Sequence, residues 1–181
     1  MKRNQRAAVL ALLIRRMLSR GSWCGETHVQ KATFFLQELM GVDLGFSFVL
    51  YRHGPFSFEL RDELSLMQAD DLISLQVRQP GYGPALVPTQ FSDVYLERFP
   101  KTLGQHQASI EFIANELGGM NVAELERIAT AFFIAERSDG TSVEDMAQEL
   151  VGLKPHISIE DALQAFEDIE RLKDRAKAHS L

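Results

Sequence analysis

An α+β fold is predicted by three features of the chain. Apolar residues recur at helical spacing over most of its length, two stretches alternate as strands, and a Gly/Pro-rich tip separates one strand from its return. Two helical patterns precede the first strand, a third helix follows it, and a hairpin closes the set. That order is the outline of a winged helix. The predicted organisation is a winged-helix-like portion over residues 1–100 and a mainly helical portion over 101–181, packed on the first as one compact unit.

The first helix is predicted over Gln5 to Ser19, where Leu10, Leu13, Ile14, Met17 and Leu18 form a broad apolar stripe. It reads as an amphipathic helix that Gly21 ends. A second helix spans Glu26 to Leu39, with Val29, Ala32, Leu36 and Leu39 on one face and Gly41 closing it. Phe46, Phe48 and Leu50 then alternate with Ser47, Val49 and Tyr51, a short strand. After Pro55 a third helix runs from Phe58 to Gln68, with Leu60, Leu64 and Met67 inward.

Ile73 to Val77 alternates, the tip Pro80-Gly81-Tyr82-Gly83-Pro84 follows, and Ala85 to Val87 returns. Pro88 makes the returning strand an edge or ends it. Beyond it the chain reads as helical. Leu103 to Leu117 stops at Gly118-Gly119. Asn121 with Glu124, Ser142 with Asp145, and Ser158 with Asp161 are cap signatures for three further helices. Ile159, Ala162, Leu163, Phe166, Ile169 and Leu172 give the last helix its stripe, and Glu124 and Glu126 read as a helix start and a solvated face.

The chain has 181 residues, 45% hydrophobic and 24% charged, enough to bury a core without disulfides or metal. A single cysteine, Cys24, fits a reducing compartment, and no apolar run reaches the length of a membrane span. Both features point to a cytoplasmic protein. Net charge is -6, yet residues 1–31 hold seven basic side chains against one acid, Glu26. The simplest account is a basic head lying against an acidic body or forming a solvated helix face; the other is a surface that steers an anionic partner.

The segment Tyr51-Arg-His-Gly-Pro-Phe-Ser57 gathers polar side chains at one corner. Pro55 holds the preceding residue out of helical conformation, Gly54 tolerates conformations closed to other residues, and Ser57 is suited to cap the next helix. The corner reads as a strand-to-helix turn. Arg52 and His53 are not needed for such a turn, which leaves them open to a partner.

Thr27-His-Val-Gln-Lys31, Tyr51 to Ser57 and the hairpin beyond resemble the bacterial SocA-like family, the Panacea antitoxin domain. Glu124-Leu-Glu-Arg-Ile-Ala-Thr130 and Leu153-Lys-Pro-His156 are more similar to the uncharacterised YwgA-like bacterial proteins. The first resemblance implies an antitoxin or adaptor acting by protein contact, with Lys31, Tyr51, Arg52, His53 and Ser57 as the marked residues. The long helical tail departs from many Panacea domains.

The alternative is a DNA-binding regulator of winged-helix type. It would use Arg3, Arg6, Arg15 and Arg16 on the first helix, Arg61 on the third, and Arg78 and Tyr82 on the wing. Its third helix sets Glu59, Asp62 and Glu63 against one arginine, a poor face for phosphates. Catalysis has little footing. Cys24 and His28 are four residues apart but lack a second ligand pair, the remaining histidines are scattered, and Gly81-Tyr82-Gly83 does not open a helix. Neither a cofactor nor a metal is expected.

Overall fold

The computed structural model describes residues 1–79 and 81–179; Pro80 of the expected hairpin tip lies outside them. The protein is α+β, mostly helical, with two separate two-stranded antiparallel sheets. The helices are α1 (Arg3–Ser19), α2 (Glu26–Glu38), α3 (Phe58–Ala69), α4 (Phe91–Leu96), α5 (Pro100–Leu117), α6 (Val122–Ala135), α7 (Val143–Leu153) and α8 (Ile159–His179). The strands are β1 (Val49–Tyr51), β2 (Gly54–Phe56), β3 (Ile73–Gln76) and β4 (Ala85–Pro88).

The expected hairpin is present, with Ile73 opposite Pro88 and Gln76 opposite Ala85. The expected strand at Phe46 to Tyr51 is shorter and differently used. Phe46 and Phe48 are buried as irregular chain, and β1 turns back through Arg52 and His53 to pair with β2, Tyr51 opposite Gly54. The corner is therefore a tight hairpin, not a strand-to-helix turn. The sequence masks it because Pro55 stands inside the returning strand, where a missing amide is tolerated only at a sheet edge.

Helix α1 also departs from expectation. Every residue from Ala7 to Ile14 is buried, so this half is not amphipathic; α2, α4, α5 and β4 surround it. A helix apolar all round belongs in a core. Its arginines project beyond the apolar section to carboxylates. Arg3 and Arg6 both bind the buried Glu63, at 3.1 and 2.8 Å, Arg15 binds Asp93 and Arg16 binds Glu111, each at 2.6 Å. The basic head thus lies against the acidic body.

The packing that matters for the corner is between α2 and α6. Phe35 stacks on Phe132 with ring centroids 5.0 Å apart and planes within 5°, while Phe34 meets Phe48 and Phe132 at 5.1 and 5.4 Å. Each such aromatic pair contributes about 0.5–1.5 kcal/mol beyond its area burial. Asn121 and Glu124 cap α6 reciprocally, at 3.0 and 2.8 Å, and so fix which of its residues face the hairpin. Ser142 caps α7 as expected. Ile159, expected in the stripe of α8, is 42% exposed because the stripe begins at Ala162. No helix among the described residues is long and apolar enough to cross a membrane.

Candidate functional site

The β1–β2 hairpin is held from below by two lysines that donate to its main-chain carbonyls. Lys31, fully buried on α2, donates from Nζ to the Pro55 carbonyl at 3.0 Å. Lys154, the residue that ends α7 ahead of Pro155, donates from Nζ to the Arg52 carbonyl at 2.5 Å, across 102 residues of chain. Both are charge-assisted bonds to oxygens that the strand ladder does not use up. Burial pushes the Lys31 amine down to about 8; the Glu126 carboxylate opposes that shift, and the Lys154 cation adds to it.

Gly54 stands where the hairpin meets α6, with φ of +87°. A Cβ there would come within 2.6 Å of Thr130 Oγ1 and 3.4 Å of the Glu126 carbonyl. Only glycine combines that backbone angle with that approach. The Thr130 hydroxyl donates to the Glu126 carbonyl at 2.6 Å, which keeps it tucked against its own helix. One turn earlier, the Glu126 carboxylate lies 2.9 Å from Nδ1 of His53 at the hairpin turn. Glu126 is thus not on a solvated face: its side chain is only 16% exposed.

The exit of the hairpin is fixed as tightly. Gln30 accepts from the Ser57 amide and donates to the Ser57 carbonyl, both at 2.9 Å, reproducing with a side chain the pairing of a strand neighbour. Ser57 Oγ accepts from the Leu60 amide at 3.2 Å, capping α3, and donates to the Glu59 carboxylate at 2.8 Å. Glu59 is held below its ordinary value, first by its own backbone amide and then by the Ser57 hydroxyl.

Four separate stretches of sequence therefore meet here: Lys31, the hairpin 51–57, Glu126 with Thr130, and Lys154. The marked residues divide between surface and support. Arg52 and His53 are exposed at the turn and Tyr51 is 47% exposed, whereas Lys31 and Ser57 lie beneath the surface. Gln30, Glu126, Thr130 and Lys154, which stand in the quoted motifs but were given no part in this corner, complete the support.

Above it the rings of Tyr51, Phe56 and Phe58 pack mutually, with centroids 5.1 to 5.6 Å apart. Arg52 lies 5.9 Å over Tyr51, and Arg61 lies 5.2 Å over Phe58, which is 41% exposed. This is an aromatic surface edged by two arginines on a pinned backbone.

The cleft beside Lys154 measures about 170 Å³, below the roughly 300 Å³ where small-molecule pockets begin. Both lysines are engaged by carbonyls. Cys24 is buried outside α2, two residues before it starts, so it shares no helix face with His28. Among the described residues, no three His, Cys, Asp or Glu side chains gather as metal ligands.

The nucleic-acid candidates are dispersed. Arg3, Arg6, Arg15 and Arg16 are engaged by carboxylates, and Arg61 covers Phe58 with Asp62 at 3.7 Å. Arg78 and Tyr82 both rest on Trp23, at 5.9 and 5.4 Å. No family model matches the chain, and no curated protein matches it.

Proposed function

We propose that the protein is a non-catalytic interaction module that docks a protein partner on the Tyr51–Phe56–Phe58 surface. The observation that carries this reading is the aromatic cluster edged by Arg52 and Arg61. Aromatic residues and arginine dominate the energetics of protein interfaces, and a backbone fixed beforehand loses little entropy on docking. In its narrower form the reading is a bacterial cytoplasmic antitoxin or adaptor whose first 100 residues are of winged-helix type, as the resemblance to Panacea domains implies.

The DNA-binding alternative draws less support. Phosphate affinity needs free cations, and the first-helix arginines are committed to Glu63, Asp93 and Glu111.

Affinity capture from the native host, with nuclease-treated and untreated samples scored for protein and nucleic acid, tests the reading. The wild type should retain a protein partner, and Tyr51→Ala with Arg52→Ala should lose it while the chain stays folded, at a cost of about 1–3 kcal/mol for the two aromatic contacts of Tyr51. Equal retention by both, or recovery of nucleic acid alone, would overturn it.

A further inference from the structure

The two edges of the β1–β2 hairpin differ. On the β2 edge the outward main-chain groups of positions 55 and 57 are all accounted for. Pro55 has no amide, its carbonyl accepts from Lys31 Nζ at 3.0 Å, and Gln30 takes both the amide and the carbonyl of Ser57.

The β1 edge is open. Pro55 cannot donate to Leu50 opposite, so Val49–Phe56 and Tyr51–Gly54 are the hydrogen-bonded pairs of the ladder. The amide and carbonyl of Leu50 therefore point away from β2. Burial alternates over residues 47–51, as in extended chain, which sets the amide and carbonyl of Phe48 on the same edge. Among the described residues none of these groups has a hydrogen-bond partner, and no other element packs along β1. Main-chain groups left unpaired by the fold are left to water. Open edges are ordinarily guarded by a charge, a proline or a bulge. The stretch 47–51 has none of them.

Val49 and Tyr51 are 46% and 47% exposed on the other face of the strand from Leu50. Arg52, at the C-terminal end of the edge, lies over the Tyr51 ring and forms no ion pair among the described residues. Glu126, the acid beneath the turn, is engaged by His53 instead.

We propose that the partner docked on the Tyr51 surface, on the reading given above, contributes an extended segment that adds to β1 as an antiparallel strand, with an acidic residue at its N-terminal end beside Arg52. Partner residues opposite Leu50 and Phe48 exchange both main-chain bonds with them. The residues between lie beside Tyr51 and Val49 on the exposed face, where β-branched side chains pair well with an aromatic ring and with valine. The antiparallel direction brings the N-terminal end of the segment to the C-terminal end of β1, next to Arg52. A second copy of this chain is a poor occupant, because residues 47–53 hold no acid to offer Arg52.

The test is an amide titration of the whole chain by NMR with acetyl-Glu-Val-Thr-Val-Thr-amide. In register its glutamate meets Arg52, its valines lie beside Tyr51 and Val49, and its threonines face Leu50 and Phe48. It should bind with a dissociation constant of about 1 mM, move the Phe48 and Leu50 amides downfield and slow their exchange. The same peptide N-methylated at both threonines keeps every side chain but loses the ladder donors, and should bind at least about tenfold more weakly. Lysine in place of the glutamate should weaken binding about threefold. Leu50→Pro removes an outward amide that β2 does not use and should weaken the unmethylated peptide about tenfold. The comparison of methylated and unmethylated peptides uses the wild-type chain, so it decides the matter even if Leu50→Pro does not fold.

Equal binding of those two peptides, unchanged exchange at Phe48 and Leu50, or no shifts as the peptide passes several times about 1 mM would overturn the added strand. A chain that dimerises alone with those amides protected would give the edge to a second copy and overturn it as well. None of these results removes the Tyr51 surface, which is judged by capture with Tyr51→Ala and Arg52→Ala.

Discussion

The two hairpins of this protein are built on opposite plans. β1–β2 has a two-residue turn, and buried lysines reach two of its carbonyls from α2 and from the end of α7. β3–β4 has a long tip from Val77 to Pro84, anchored by the Trp23 indole on Gly83 and by the Leu86 amide on the Cys24 carbonyl. In the first, groups far apart in sequence converge on the main chain. In the second, the described residues are held at the base and, in the tip, around Trp23. Local stability follows the density of such buried contacts. The first hairpin is a platform fixed from beneath, and the second is fixed by its own ladder and by neighbours close in sequence at its base.

Glycine substitutions break the comparison most sharply. Gly54 and Gly81 have nearly equal φ, +87° and +84°, but a Cβ at Gly54 strikes Thr130 while one at Gly81 meets nothing within 4 Å. Gly81→Ala should therefore cost only the left-handed backbone term, about 1–2 kcal/mol. Gly54→Ala adds the steric term and should cost about 2–4 kcal/mol in all. Thr130→Ala should rescue part of the Gly54→Ala loss and none of the Gly81→Ala loss. Denaturant midpoints of the four variants decide the matter; equal costs at both glycines would remove the distinction.

A smaller loss is expected from Ser57→Ala. It removes the cap of α3 and should cost between about 1 and 2 kcal/mol by thermal or chemical unfolding. A neutral result would mean that Gln30 alone fixes the hairpin exit.

The smallest effect is a pH dependence. Burial holds Lys31 at about 8, against 10.5 ordinarily. Between those values the unfolded chain carries the extra proton, so stability rises with pH through that window. The gain between pH 8 and 9 should be about 1 kcal/mol, and Lys31→Met should flatten it. Above pH 9 the Cys24 thiol, pushed by burial from 9.0 up to about 12, acts in the opposite direction. A rise that persists in Lys31→Met would assign the effect elsewhere.

Much of the helical framework was legible because its signals are local. Asn121, Ser142 and the glycines after α1 and α2 act within a turn of where they stand, and the alternation of Ile73 to Val77 is a period-two pattern. The first hairpin was not legible as a hairpin. Its strands are three residues each, Pro55 argues against a strand, and its stability comes from Lys31, Glu126 and Lys154, whose positions depend on how α2, α6 and α7 pack. Lys31 was marked only through resemblance, whereas Arg52, His53 and Ser57 were marked first by the Gly54-Pro55 corner itself. Gln30 and Thr130 stood inside the quoted motifs but had no local signal of their role, because a glutamine on a helix face and a threonine inside one have no pattern of their own. The burial of α1 on all sides was likewise hidden, since its arginines mimic a polar face and reach out to distant carboxylates.

Hydrogen exchange resolved to single amides tests the central claim most directly, namely that β1–β2 is a platform fixed by the two lysines. The ladder amides of residues 49–56 should exchange nearly as slowly as those of α6, those at 77–83 should exchange far faster, and Lys154→Met should release the first set while leaving the second unchanged. Equal exchange in the two hairpins of the wild type, or protection at 49–56 that survives loss of Lys154, would contradict the account.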